Sequence, residues 1–256
     1  MTMRRIKLTV EYDGTGFHGW QRQPDKVTVQ GEIEKAIRIL TSQDITVYAS
    51  GRTDAGVHGK EQVCHFEIDC RHPLVAFKDG INRFTSEGIS ILKAEVVSEN
   101  FHARFSAIAR QYEFLVLNRR APSSLWRHRA VHVLHPLDID LMRKSLECLI
   151  GEHDFSAFRA SSCESSTPVC AMQKFTVEQD GDLLKFKIKA DHFLHNMIRI
   201  TVGTAIDIGR GIIPADSFEV MLKSKDRNDG GKTLPPQGLY FDKVYYRDDY
   251  TIYESC

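Results

Sequence analysis

The strictest constraint in this chain is an alternation of period two that recurs in both halves. From Arg5 to Tyr12, Ile6, Leu8, Val10 and Tyr12 take one side, and Lys7, Thr9 and Glu11 the other. From Leu183 to Ala190, Leu184, Phe186, Ile188 and Ala190 alternate with Lys185, Lys187 and Lys189. Side chains in a strand point alternately to opposite faces, so each segment reads as a strand with one buried face. Such half-buried strands belong to antiparallel sheets, because fully covered parallel strands read as continuous apolar runs. Arg110–Leu117 alternates in the same way and places Arg110, Tyr112, Phe114 and Val116 on one face.

Helical signals fall between these strands. Thr28 is placed to cap a helix to about Leu40, with Val29, Ile33, Ile37 and Leu40 on one stripe. Asp138 is placed to cap another to Ile150, stopped by Gly151. Further helices are expected over His72–Phe84, over about His192–Ile208 and after Pro214. Strands are expected at Ile45–Ala49, Gln62–Ile68, Ile89–Val97 and Phe241–Tyr246, and a hairpin around Asp180-Gly181. Mixed elements with frequent hairpins predict an α+β fold of largely antiparallel sheets. The chain's 256 residues fit two such halves, 1–105 and 106–256, with the boundary near 104–108.

Composition excludes several classes. Thirty-four Lys and Arg balance 34 Asp and Glu, so the chain has no overall basic coat, although a local basic stripe remains open. No apolar run reaches the roughly 18 residues of a membrane span, and no secretory block opens the chain. Six cysteines (Cys64, Cys70, Cys148, Cys163, Cys170, Cys256) form no CxxC pair and read as free thiols of a reducing cytoplasm. The 11 histidines include no HExxH, and no metal or other cofactor is expected. Charge is nonetheless uneven. Asn100–Ala130 holds Arg104, Arg110, Arg119, Arg120, Arg127 and Arg129 against a single acid, Glu113. Arginines at that density suit phosphate contact, as well as a solvated face.

Three places carry candidate chemistry. Gly14-Thr15-Gly16-Phe17-His18-Gly19 matches a dinucleotide fingerprint in letters. The fingerprint must open a helix whose N-terminus holds pyrophosphate, and here the helix begins only near Thr28. A turn needing glycine freedom, or a loop offering Phe17, His18, Trp20 and Arg22 to nucleic acid, are the other readings. Ser50–Gly59 is a glycine-rich loop carrying Arg52, Asp54 and His58. Asp54 can be a nucleophile, a general base or a turn-capping carboxylate. Arg199 lies within an almost wholly apolar helix, and Asp207 is eight residues away, beyond helical pairing distance. A buried guanidinium stays charged, so a partner from another segment is implied. Tyr112 beside Arg110 can stack on a base, or simply fill a core.

These segments together resemble a known family. Ala49-Ser50-Gly51-Arg52-Thr53-Asp54-Ala55-Gly56-Val57-His58-Gly59 resembles the signature loop of the TruA-type tRNA pseudouridine synthases. Tyr12–Thr15 with Gly19–Gln23, Phe101–Ala107 with Arg110 and Tyr112, and Asp154-Phe155 with Phe158-Arg159 resemble further family blocks in the same order. So do Phe193–Arg199 with Val202-Gly203, and Pro235-Pro236 with Gly238-Leu239-Tyr240. The resemblance implies the pseudouridine synthase fold, two α/β halves sharing an extended, mainly antiparallel sheet with a central cleft. It implies a cytoplasmic homodimer that isomerises uridine on the 3′ side of the tRNA anticodon stem-loop, without metal or cofactor. Asp54 then matches the catalytic aspartate, Tyr112 the active-site tyrosine and Arg199 the arginine paired with the aspartate. Substrate contacts are expected from Tyr112, Arg52, Arg104, Arg110, His58 and Leu239. The chain departs from the family pattern at Phe84-Thr85, Phe114, Ser166 and Ile200, and Ser166 replaces a cation expected to contact tRNA. A non-catalytic RNA-binding protein and a dinucleotide-dependent oxidoreductase are the competing expectations.

Overall fold

A computed structural model describes residues 3–160 and 167–252. Ser166, Cys163 and Cys256 lie outside the described residues. The chain forms two compact units, one of residues up to Ile108 together with those from Tyr240 onward, the other of Ala109–Leu239. The last strand therefore joins the first unit, a chain return that the expected halves 1–105 and 106–256 did not contain.

In the first unit, β1 (Arg4–Tyr12) lies between β4 (Ile89–Val97) and β3 (His58–Ile68), antiparallel to both. The other edge of β3 takes the short β2 (Tyr48–Ala49) and, in parallel at His58 and Gly59, β10 (Leu239–Tyr246). The expected alternation holds: Ile6, Leu8, Val10 and Tyr12 are buried. They pack on α1 (Val29–Thr41) through Val29, Ile33 and Ile37 in one core with Phe66, Phe77 and Ile81. Thr28 caps α1, its Oγ1 accepting from the Gly31 N–H at 3.3 Å. The helix expected over His72–Phe84 is broken: a wide turn at Ala76–Gly80 precedes the short α2, Ile81–Phe84. Ile45–Val47 is not strand.

In the second unit, β5 (Ala107–Asn118), β9 (Leu183–Ala190), β8 (Val169–Asp180) and β7 (Gly151–Asp154) form an antiparallel series, and β6 (Val131–Val133) runs parallel to β5. The β8–β9 hairpin turns at Gly181-Asp182, one residue later than expected, because Asp180 pairs with Leu183. Gly181 takes the left-handed backbone there, φ +59°. Leu184, Phe186, Ile188 and Ala190 are fully buried, while Lys185 and Lys187 pair outward with Asp180 and Glu178. The core is closed by α3 (Ile139–Leu146), capped by Asp138 at 2.9 Å from the Leu141 N–H, and by α4 (Met197–Gly209). The α5 helix covers Ser217–Ser224. The α+β, mainly antiparallel class is as the alternation implied. No helix among the described residues is long and apolar enough to cross a membrane.

Candidate active site

The first unit builds the Asp54 loop by stacking one irregular backbone on another. The loop's start is fixed by Gln62, which is fully buried on β3. Its Nε2 donates to the Gly51 carbonyl at 2.9 Å, and its Oε1 is bonded to the Ser50 hydroxyl. Thr53 is held twice: its carbonyl accepts from the Trp20 N–H at 3.0 Å, and its hydroxyl bonds the Tyr12 hydroxyl at 2.9 Å. Asp54 to Val57 then closes a turn, the Val57 N–H donating to the Asp54 carbonyl at 3.2 Å, with Gly56 at φ +78°. At the far end His58 is buried, and its Nδ1 accepts from the Gly14 N–H at 3.1 Å. Its ring stacks on Tyr240, centroids 4.6 Å apart. Asp54 itself is half-buried, and Arg52 is exposed. Thus Asp54 is set between two anchored residues on a loop whose outer surface meets solvent.

This explains the glycine segment. A side chain on Gly14 would collide with the Val57 carbonyl, and a Cβ on Gly19 would stand 2.6 Å from the Thr53 carbonyl. Gly19 also has φ +88°, which side-chain-bearing residues rarely adopt. The glycines serve close backbone approach, not a pyrophosphate. Nor is the start of α1 open to a phosphate: the Gly19 and Trp20 carbonyls accept the N–H groups of Val29 and Gln30. The segment forms a short turn at Gly14–Gly16 rather than opening a helix, which removes the dinucleotide reading. It does not offer all of its aromatic side chains outward either. Phe17 and Trp20 are buried, and Arg22 is paired with the buried Glu34 at 2.9 Å.

Tyr112, Arg110, Arg199 and Leu239 lie in the second unit. Tyr112 lies on β5 opposite Ile188, buried, with its ring edge-on to Phe193 at 5.0 Å. Arg110 is half-buried and donates to the Asp191 carbonyl at 2.9 Å. Leu239 is buried beside Gly238, where a Cβ would stand 2.7 Å from the Leu115 carbonyl. Arg199 lies in the first turn of its helix, not well inside the helix expected over about His192–Ile208. The helix starts at Met197, because Asn196 adopts φ +62° and cannot continue a right-handed helix backward. His192 and His195 consequently lie outside it. Every residue of α4 except Arg199 is buried. The guanidinium donates to the Leu234 carbonyl at 2.7 Å and to Asn196 Oδ1 at 2.6 Å. A cation in the first helical turn opposes the helix dipole, so this end of α4 concentrates positive charge and favours an anion. Two departures from the family pattern, Phe114 and Ile200, are core residues.

Sequence reasoning missed Tyr12, Trp20, Thr53 and Gln62 as supports of the loop. Tyr12 left a trace as the last buried residue of the alternating strand, and Trp20 and Thr53 as members of the resembling motifs; Gln62 left none. Among the described residues no group of three metal-ligating side chains gathers.

A family model described as tRNA pseudouridine synthase matches residues 8–106 and 146–247. That span contains the Asp54 loop, Arg104, Arg199 and Leu239. The chain is 41% identical over 244 residues to a tRNA pseudouridine synthase A of Acetivibrio thermocellus, covering 95% of this chain and 100% of the relative. It is 44% identical over 242 residues to one of Dechloromonas aromatica, covering 94% and 92%, and 39% identical over 250 residues to one of Paraburkholderia phymatum, covering 98% and 94%. A match over both units, at this identity and nearly full length, places the chain in the tRNA pseudouridine synthase family, whose members are isomerases.

Proposed function

We propose that the chain converts uridine to pseudouridine on the 3′ side of the tRNA anticodon stem-loop, with Asp54 as the catalytic nucleophile. The observation that carries this is the Asp54 loop itself, inside the matched span, with Thr53 clamped by Trp20 and Tyr12. A carboxylate on a loop this restrained meets a reacting atom in a fixed direction, which is where most of the benefit of orientation lies.

The reaction is an isomerisation. The ribose C1′–N1 bond breaks, the uracil turns, and C1′–C5 forms; C5 gives up a proton and N1 gains one. Atoms and charge balance without a co-reactant. The target nucleotide first leaves its stack, at a cost of a few kcal/mol. Asp54 then acts at C1′, Tyr112 stacks on the free uracil, and Arg199 supplies the cation that the reacting carboxylate requires. Arg52, exposed beside Asp54, enters the space the base vacates. Arg104, Arg110 and Leu239 hold the RNA around it, and His58 serves the site from behind the loop by fixing its end. The enzyme works as a cytoplasmic homodimer.

The test uses an unmodified tRNA transcript with uridines across the anticodon stem-loop, mapped for pseudouridine at single-nucleotide resolution. The native chain is expected to modify the 3′ side, and Asp54→Asn to lose at least ~1,000-fold in rate, a loss on the scale of removing a nucleophile, while still binding tRNA. Full turnover by Asp54→Asn would remove the assignment; product elsewhere in the tRNA would move the substrate position.

A further inference from the structure

An aromatic cluster outside the Asp54 loop has no part in the reading above. It lies on the face of the first unit's sheet opposite α1, where Tyr48 pairs across strands with His65. Their rings stack at 5.4 Å. His102 meets His65 edge-on at 4.7 Å and Tyr48 at 5.9 Å, and Phe105 lies over His102 at 4.4 Å with a 35° tilt. The Arg104 guanidinium stands 5.8 Å over the Phe105 ring. The inner end is buried, but Tyr48 is 51% exposed and Phe105 77% exposed.

The turn that carries Phe105 is firmly tied. The Ser106 N–H donates to the His102 carbonyl at 2.9 Å, and the His102 N–H to the Ser106 hydroxyl at 3.0 Å. His102 Nδ1 accepts from the N–H groups of Arg104 and Phe105 at 3.1 and 3.3 Å. The Ala103 N–H donates to His65 Nδ1 at 3.2 Å, and the Tyr246 hydroxyl to the Ala103 carbonyl at 2.9 Å. Such ordering costs conformational entropy, and a phenyl ring left 77% exposed returns little to folding. A rigid turn that presents an aromatic face outward is instead preorganised for a ligand.

We propose that Tyr48, His102 and Phe105 form a stacking shelf for an unpaired nucleobase of the RNA substrate, with Arg104 meeting the adjoining phosphate. The proposal rests on the tRNA reading, in which Arg104 already holds RNA, and adds the rings beside it as a base contact. Three observations favour a nucleobase over another occupant. The exposed rings offer π faces, on which any base stacks. The Arg104 cation sits beside the rings. Both imidazoles are held below their ordinary values, first by burial and then by neighbouring charged groups that include Arg5, so they present neutral rings near pH 7.

Phe105→Ala and Tyr48→Ala, made in the full chain, are to be compared with the native enzyme in Kd for unmodified tRNA, in KM and kcat, and in dimer dissociation by light scattering. Phe105→Ala is expected to raise Kd and KM about tenfold, with kcat changed far less, and Phe105→Trp to restore both. Tyr48→Ala is expected to act in the same direction. A tRNA substituted with 5-iodouridine is expected to photocross-link to Phe105 or Tyr48. Unchanged Kd in Phe105→Ala beside a fully active native chain would overturn the shelf alone. Weakened dimerisation with unchanged tRNA affinity would also overturn it, and would assign the rings to a second copy. A native chain that binds tRNA through the shelf but makes no pseudouridine would instead overturn the catalytic reading.

Discussion

Asp54 and Arg199 are the two charged side chains to which the proposal gives chemistry, and they are held by opposite means. Asp54 sits on irregular backbone, fixed through its neighbours by Trp20, Tyr12, Gln62 and the glycines of another loop. Arg199 sits on a regular helix in which every other residue is buried, so the core itself orients it. The loop is a sum of small contacts, each adjusting one atom's direction. The helix is one cooperative unit that either packs or does not. Damage near Asp54 should therefore appear in kcat, and damage near Arg199 in both stability and rate.

Gly19→Ala tests the first half of this contrast most severely. The new Cβ needs the Thr53 carbonyl to move, and the backbone at φ +88° resists any side chain. Thr53 precedes Asp54, so the displacement passes straight to the carboxylate. We expect kcat to fall about 100-fold, the loss typical of a misplacement near 1 Å, with tRNA affinity nearly unchanged. A drop in KM-limited binding alone, by filter binding and steady-state kinetics, would show that the glycine segment supports RNA and not the loop.

Arg199→Ala tests the second half. The Leu234 carbonyl and Asn196 Oδ1 lose their charged donor, at about 1–3 kcal/mol. For a chain of this size that is a fall of roughly 2–4 °C in Tm per kcal/mol. Rate should fall as well, if Arg199 is the cation that the proposed reaction uses. A variant with native Tm and native rate would end the role assigned to Arg199.

The two regions were unequally legible in the sequence. The helix was visible as an apolar stretch with one arginine in it, but its start was misjudged because a left-handed Asn196 has no unambiguous signal in single letters. The loop's composition was visible, yet its supports were not. Gly14 and Gly19 looked like a nucleotide fingerprint because close backbone approach requires glycine whether the neighbour is pyrophosphate or another loop. Only the three-dimensional pairing of residues 14–20 with 50–58 separates the two. Gln62 gave no warning, since a buried amide in a strand looks like an exposed one. The strands themselves were legible to within a few residues where one face is buried, as in β1 and β9. The signal failed at Ile45–Val47, where apolar residues lead into a very short strand instead of forming one. The return of β10 to the first unit depends on long-range pairing, which local pattern does not encode.

A pH titration sharpens the comparison from the stability side. Burial, then the neighbouring His102 and Arg5, lower His65 to about 4, whereas an unfolded histidine titrates near 6.5. As pH falls, the unfolded chain takes up that proton before the folded one does. The stabilisation is thus complete above about pH 6.5 and is lost between there and about 4. Its size is on the order of 3 kcal/mol. Thermal melts should show Tm declining through this window, and His65→Gln should flatten the decline. An equal decline in that variant would place the titration elsewhere.

Tyr12→Phe is the mildest break, and the one most specific to the loop. The phenol is buried, and its oxygen meets the Thr53 hydroxyl at 2.9 Å. Burial holds that phenol far above its usual titration range, so the group is a neutral hydrogen-bonding hydroxyl at every working pH. Removing it leaves the ring in the core and the Thr53 hydroxyl without this partner, while the Trp20 N–H still holds the Thr53 carbonyl. A lost neutral hydrogen bond is worth about 1 kcal/mol, and in a 256-residue chain that lowers Tm by only a few degrees. The consequence for Asp54 is freedom of direction rather than displacement. kcat should therefore drop about three- to tenfold, far less than in Gly19→Ala, and Thr53→Val should give a similar loss. Because both variants remove the same bond, the double variant should lose little more than either alone. Additive losses in that cycle would mean the two hydroxyls act separately. Asp54 would then owe its direction to the backbone clamp alone, and the loop would resemble the Arg199 helix more closely than the geometry implies.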